Sequence, residues 1–188
     1  LSYVYKVVEQ IAGSVERECV VVVKSTVPIG TNDKIETYMI EHLKNNVRVH
    51  IASNPEFLAQ GTAVHDTLHA SRIVIGAESD YAKTVLEKVY ENFEVPKVIT
   101  NRRSAEMIKY ASNDFLALKI SYVNEIANLC EIVGADIEDV TKGMGLDARI
   151  GDKFLNSGIG YGGSCFPKDT KALSWLASFN DNEIKTIK

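Results

Sequence analysis

The chain has 188 residues, a net charge of −4 and 45% hydrophobic residues, enough to bury one good core or two small ones. The acidic balance and the lack of a basic run argue against nucleic acid as the partner. No apolar stretch is long enough to span a bilayer, so no membrane is expected. The opening residues Leu1 to Lys6 lack the charged leader and apolar block of a signal peptide. Three widely spaced cysteines, Cys19, Cys130 and Cys165, form no disulfide framework and no zinc spacing. A reducing cytoplasm is therefore the expected location, with no metal.

Leu1, Val4, Val8 and Ile11 already keep a helical period, and Gly13 fits a stop. No N-cap precedes them, so the chain is expected to be a piece of something longer. Cys19 to Val23 is a short continuous run of mostly β-branched residues, the pattern of a strand buried on both faces. A turn, Lys24 to Gly30, leads into a helix with Thr31 or Asn32 as N-cap and Ile35, Met39 and Leu43 on its apolar face. Val47 to Ala52 is the next strand, so the unit is βαβ and a parallel sheet is implied. Arg72 to Gly76 and Lys97 to Ile99 read as further strands, with a helix over about Tyr81 to Phe93 between them. The α/β part is expected to span residues 1–100.

From residue 101 the texture changes. Ser104 can cap, and no Gly or Pro appears until Gly134. That is one helix of about thirty residues, roughly 45 Å long. Ile108, Ala111, Phe115, Leu118 and Tyr122 share one face, and Leu116, Ile120, Val123 and Ala127 another. A long helix apolar on two faces is expected to lie between layers and to pack against a second copy of itself. Shorter helices follow over Ile137 to Lys142 and Thr170 to Ala177, with a further one beginning after Asp181.

The most informative stretch is Gly158 to Asp169. Four glycines in the six residues from Gly158 to Gly163 let main-chain N–H groups approach an anionic ligand. Pro167 suits the first turn of a helix, which puts Cys165 at that helix's N-terminus, where the dipole favours a thiolate. The glycines also satisfy Gly-x-Gly-x-x-Gly, yet no strand precedes them, so they are not a dinucleotide fingerprint. Lys109 and Asn113, four residues apart, share a helix face; they are either a solvated stripe or a pair able to hold a developing alkoxide or a water. Ser25-Thr26 and Asn54-Pro55-Glu56 both fall at carboxyl ends of strands, where open α/β sheets gather ligands. Glu56, between Pro55 and Phe57, is a candidate acid or base. Arg149 precedes the glycine loop and is a candidate for phosphate or sugar. His65 and His69 have metal spacing without a third ligand and read as an exposed helical turn. Cys19 and Cys130 lie in apolar runs and read as core.

These motifs carry a resemblance. Lys24-Ser25-Thr26-Val27-Pro28-Ile29-Gly30, Ser53-Asn54-Pro55-Glu56-Phe57-Leu58, Ser71-Arg72-Ile73-Val74-Ile75-Gly76, Ala105 to Asn113, Asn124-Glu125 and Gly160 to Asp169 together resemble the UDP-glucose 6-dehydrogenases, a branch of the nucleotide-sugar dehydrogenases. GDP-mannose and UDP-N-acetylmannosamine dehydrogenases are the near alternatives. The resemblance implies the C-terminal half of a Rossmann-like NAD domain over residues 1–100, then an all-α central dimerisation domain over 101–188.

It further implies oxidation of UDP-glucose to UDP-glucuronate in two NAD-dependent steps, for polysaccharide synthesis. Cys165 matches the nucleophile that carries a thiohemiacetal and then a thioester. Lys109 and Asn113 match the oxyanion pair, Asp169 the aspartate assisting a water, and Thr26 and Glu56 the proton-transfer groups. Glu56, Phe57, Leu58, Ala59 and Gln60, with Lys109, Asn113 and Arg149, match substrate contacts. So do Phe154, Leu155, Asn156, Ser157, Gly158, Ile159, Gly160, Tyr161 and Gly162. Ser25, Thr26, Val27, Gln60, Cys165, Phe166, Pro167 and Lys168 match cofactor contacts. The family often carries a second glutamate where this chain has Gln60, which cannot act as a base at neutral pH. The resemblance also implies a homodimer through the long helix, and a chain that is inactive without the family's N-terminal dinucleotide half and C-terminal domain.

Overall fold

The computed structural model describes residues 1–187. They form two compact units, Leu1–Lys109 and the residues from Tyr110 onward.

The first unit is α/β. Its sheet has the order β1 (Cys19–Val23), β2 (Val49–Ser53), β3 (Ile73–Ala77) and β4 (Lys97–Thr100). The helices are α1 (Ser2–Ser14), α2 (Thr31–His42), the short α3 (Ala63–Leu68) and α4 (Asp80–Val89). Because side chains alternate along a strand, the continuous valine run of β1 serves two cores at once. Val21 and Val23 join Val8 and Ala12 of α1, Ile35 and Met39 of α2, and Ile51. Val20 and Val22 pack with Ala52, Ile73, Ile75, Ala82 and Leu86. Cys19 is only half-buried, at the outer strand of the sheet, and does not belong to either core.

The β1–α2–β2 crossover is parallel as expected, and β3 pairs with β4 in parallel too. The central pair is not: β2 and β3 run antiparallel, joined only at Ala52–Ala77 and Ser53–Gly76. A strand apolar on both faces looks the same in either direction, so the sequence pattern carries no sign of this reversal. Pro55 has no N–H to extend the ladder. The Asn54 side chain takes over, donating from Nδ2 to the Val74 carbonyl at 2.7 Å. Its Oδ1 accepts from Lys24 Nζ at 2.9 Å and from the Tyr90 hydroxyl at 2.5 Å, tying the loops after β1 and β2 together.

The long helix α5 (Arg102–Val133) has 32 residues and begins in the α/β unit. Ser104 is not its cap. Asn101 is, accepting from the Ser104 N–H at 2.7 Å. Its first turns lock α2 in place. Glu106 is 3% exposed, and its carboxylate accepts from the Gly30 N–H at 2.5 Å, the Asn32 N–H at 2.9 Å and Asn32 Nδ2 at 2.6 Å. Neither Thr31 nor Asn32 is the N-cap of α2: Gly30 holds that position at φ 85°, with no capping side chain of its own. A carboxylate from another helix does the capping instead, at the positive end of the α2 dipole. Arg102, also buried, pairs with Glu36 at 2.7 Å, Asp33 at 3.0 Å and Glu78 at 3.8 Å. Burial works against its charge, but Glu36, Asp33 and Glu78 outweigh it and hold the guanidinium pKa above its ordinary value. Gly76 lets α5 approach the sheet, since a Cβ there would lie 3.0 Å from the Arg102 Cα and closer still to the Ala105 side chain.

The second unit is helical. It holds the rest of α5, then α6 (Ile137–Gly145), α7 (Phe166–Phe179) and a single 3₁₀ turn at Lys185–Ile187. Gly134 at φ 76° turns the chain out of α5. Asp136 then caps α6, accepting from the Glu138 N–H at 2.7 Å. Cys130 is buried, as its apolar run suggests.

Candidate active site

In the α/β unit, the turn after β1 leaves Ser25 exposed and Thr26 half-buried, while Val27 is anchored in the core. Hydroxyl-bearing residues at the carboxyl end of a parallel strand suit a bound cofactor's polar edge. The N-terminus of α2 just beyond is closed by Glu106, so it offers no cradle to a diphosphate.

The turn after β2 carries Glu56 and Phe57 half-buried, with Leu58, Ala59 and Gln60 exposed. Phe57 has two cations near its ring. The Arg72 guanidinium sits 3.9 Å from its ring centroid and the Lys109 ammonium 5.2 Å away. The structure thus brings Lys109 beside the segment that holds Glu56, a link that spacing along the chain does not reveal. Burial lowers the Arg72 pKa. Asp66 clamps the far end of the turn, its Oδ2 accepting from the Ala59 N–H at 2.9 Å and the Thr62 hydroxyl at 2.7 Å. Those bonds hold the Asp66 pKa below the usual carboxylate range, the Ala59 N–H first. His65 and His69 lie with ring centroids 4.7 Å apart and ring planes tilted by 38°, and the described residues hold no metal cluster.

In the helical unit, Cys165 is exposed and stands at the N-cap position of α7, followed by Phe166 and Pro167 in the first turn. The first helical bond, from the Asp169 N–H to the Cys165 carbonyl at 2.9 Å, turns the Asp169 side chain inward. Asp169 is 1% exposed. Its Oδ2 accepts from Asn113 Nδ2 at 2.7 Å, and Oδ1 pairs with Lys168 Nζ. Asn113 is itself buried on α5. Asn113, matched by the resemblance to one half of the oxyanion pair, and Asp169, matched to the aspartate assisting a water, are therefore in direct contact.

The glycine loop is built for backbone exposure. Gly160 and Gly163 take φ values of 115° and 78°, conformations that side chains resist, and Phe154 adopts φ 63°. Leu155 is buried and anchors the loop, and Ile159 points wholly outward. Phe166 meets Phe154 and Tyr161 edge to face at 6.2 and 6.1 Å. Asn124 on α5 accepts from the Gly158 N–H at 2.8 Å and fastens the loop. Asn156, Ser157 and Gly162 stay exposed. Arg149 is exposed. It folds back on Asp147, Nη2 to Oδ2 at 2.6 Å, because two residues of turn bring the charges together. Asp147 raises the Arg149 pKa and Arg149 lowers that of Asp147.

Residues 1–94 match the NAD-binding domain of the UDP-glucose/GDP-mannose dehydrogenase family, and residues 103–188 match its central domain. The chain belongs to this family. It is 55% identical over 180 residues to UDP-glucose 6-dehydrogenase YwqF of Bacillus subtilis, covering 96% of this chain and 41% of that protein. The TuaD enzyme of the same organism is 48% identical over all of this chain, again 41% of its own length. Among solved structures, a UDP-glucose dehydrogenase from Pyrobaculum islandicum superposes with a TM-score of 0.94 at 41% identity, over 98% of this chain and 44% of that one. GDP-mannose dehydrogenase of Pseudomonas aeruginosa gives 0.74 at 32%, over all of this chain and 45% of its own. The chain thus spans about two fifths of the length of the curated relatives it matches. Members of the family carry an NAD-binding domain, and this chain's α/β unit is matched to it.

Proposed function

We propose that the protein is a UDP-glucose 6-dehydrogenase that makes UDP-glucuronate in two NAD-dependent oxidations. The observation that carries this reading is the Cys165–Asp169 turn. An exposed thiol stands at the N-cap position of α7, and one helical turn on lies a buried carboxylate held by Asn113 and Lys168. Identity to UDP-glucose 6-dehydrogenases is higher than to the mannose enzyme, which favours glucose as the sugar.

In this reading NAD, when bound, accepts the hydride in each oxidation. Residues 1–100 supply the second part of the NAD domain and 101–188 the central domain. Ser25, Thr26 and Val27, with Gln60 and Cys165 to Lys168, contact the cofactor. Glu56 to Gln60 and, separately, Phe154 to Gly162 are the proposed sugar-nucleotide contacts, the glycines of the second segment suiting a diphosphate. Arg149 exchanges Asp147 for that ligand.

The C6 hydroxyl of glucose loses its proton to a base, with Thr26 and Glu56 in the relay, as the carbon is oxidised to an aldehyde. The Cys165 thiolate adds to the aldehyde carbon, and the adduct oxygen is held by Lys109 and Asn113. Oxidation of that adduct leaves a thioester. A water held by Asp169 then attacks the carbonyl, giving its proton to the relay, and the Cys165 sulfur leaves with the carboxylic acid released. Gln60 takes no proton.

The protein is proposed to work in the cytoplasm as a homodimer through α5. Phe115, Tyr122 and Leu129 form an exposed stripe at seven-residue spacing. The 188 residues are not expected to turn over alone, because no strand–Gly-x-Gly-x-x-Gly–helix unit lies within them.

The test is a substrate panel on the full-length protein, reading NADH. UDP-glucose should give two NADH per uronate, and Cys165→Ser should abolish uronate formation. Uronate production unchanged in that variant would sink the nucleophile assignment. A strict monomer by light scattering would remove the dimer.

A further inference from the structure

Phe57 lies on the turn between β2 and α3, and the residues that follow it, Leu58 to Gln60, are exposed. Two fixed elements nevertheless reach its ring. Arg72 immediately precedes β3, every residue of which is buried, and brings its guanidinium carbon to 3.9 Å from the ring centroid. Lys109 belongs to the first turns of α5, which Glu106 and Arg102 tie to α2. Its ammonium lies over the same ring, 5.2 Å from the centroid. Lys109 is 7% exposed, and Arg72 is half-buried with its pKa lowered by that burial. A cation withdrawn from water is held by a ring face more strongly than one at the surface.

We propose that Phe57 and Arg72 are positioning residues for Lys109: the Arg72 guanidinium fixes the Phe57 ring, and the ring face holds the Lys109 ammonium in place for the adduct oxygen. The inference rests on the reading of Lys109 as the group that holds that oxygen. A free lysine side chain samples many rotamers, and its charge serves a developing oxyanion only where it already stands. A carboxylate could fix the ammonium, but it would offset the charge the oxyanion needs. A ring face attracts the ammonium without neutralising it. The Phe57 ring serves Lys109 in this account, and its backbone is left to the sugar nucleotide. Because the oxyanion forms only as the reaction proceeds, losing this support lowers kcat and spares KM.

The experiment places phenylalanines with one, two and three ring fluorines at position 57 of the full-length enzyme. Ring fluorines withdraw negative charge from the ring face and hardly alter its shape. The kcat for NADH formation from UDP-glucose and NAD should fall stepwise, by about threefold to tenfold at three fluorines, with KM for both substrates unchanged. A merely structural ring has no reason to follow the fluorine count. A flat kcat across the series, or a loss confined to KM, therefore overturns the proposal. In an Arg72→Met background the series should start from a lower kcat and lose most of its slope, with Arg72→Lys recovering part of both. A full slope in Arg72→Met overturns the role given to Arg72. Should the fluorinated chains fail to fold, Phe57→Leu and Phe57→Tyr replace them. Phe57→Leu loses the ring face and should have a kcat at least about threefold below that of Phe57→Tyr, which keeps it; equal values overturn the proposal. A wild type that forms no NADH from any sugar nucleotide fails the functional reading, whereas an active wild type with a flat series fails this inference alone.

Discussion

Asn113 Nδ2 donates to Asp169 Oδ2 at 2.7 Å, joining α5 to α7 through two side chains that are both buried. A hydrogen bond to a buried carboxylate contributes more than a neutral one, and leaving the carboxylate short of a donor costs more still. Asn113→Ala is expected to lower stability by about 1–3 kcal/mol, read as a lower urea midpoint. Asn113→Asp should be worse at pH 8 than at pH 5, because it puts a third carboxyl beside Asp114 and Asp169. An Asn113→Asp variant as stable at pH 8 as at pH 5 would contradict that geometry.

Asp114 gives stability a pH dependence of definite sign. Its folded pKa, about 6, lies above the ordinary 3.8, so the folded state binds the proton more tightly. The stability gained is fully present below about 4 and is lost as pH rises through about 6. Asp114→Asn removes the charge and should be more stable than wild type at pH 8 by about 1–3 kcal/mol. The advantage should vanish below pH 4. Urea midpoints of both proteins at the two pH values measure it.

Glu106 caps a helix to which it does not belong. Glu106→Ala would leave the Gly30 and Asn32 N–H groups, at the N-terminus of α2, without their acceptor. A loss of about 2–4 kcal/mol is expected, and Glu106→Gln should recover only part of it, because its amide nitrogen cannot accept. Hydrogen exchange should show early opening at the first turn of α2. Unchanged protection there would refute the cross-helix cap.

Gly76 is needed for packing and not for its backbone angles. Gly76→Ala would drive a methyl into Ala105 and the Arg102 backbone, so a loss of about 1–3 kcal/mol is expected. Gly61, at φ 92° with open space around it, should respond to Ala through backbone strain alone, by about 1 kcal/mol. Chemical denaturation of the two variants separates crowding from strain.

Much of the fold is local and was legible. Cys19 to Val23 reads as a strand from its own residues, and the run without Gly or Pro from Ser104 reads as one long helix. The glycine loop, the N-terminal place of Cys165 and the Pro167 helix start are likewise properties of consecutive residues. The sequence by itself therefore determined the elements, the family motifs and the candidate nucleophile. What it could not show were relations between residues far apart in the chain. The antiparallel turn of β3 against β2, the Glu106 cap of α2 and the stacking of Arg72 on Phe57 depend on which surfaces meet. So does the place of Asp114, a polar residue in a helix that reads as apolar on two faces. Only the packing of α5 with α7 takes its carboxyl out of water, sets it beside Asp169 and leaves it without a donor. Desolvation is a property of the assembled core, and no residue carries it alone.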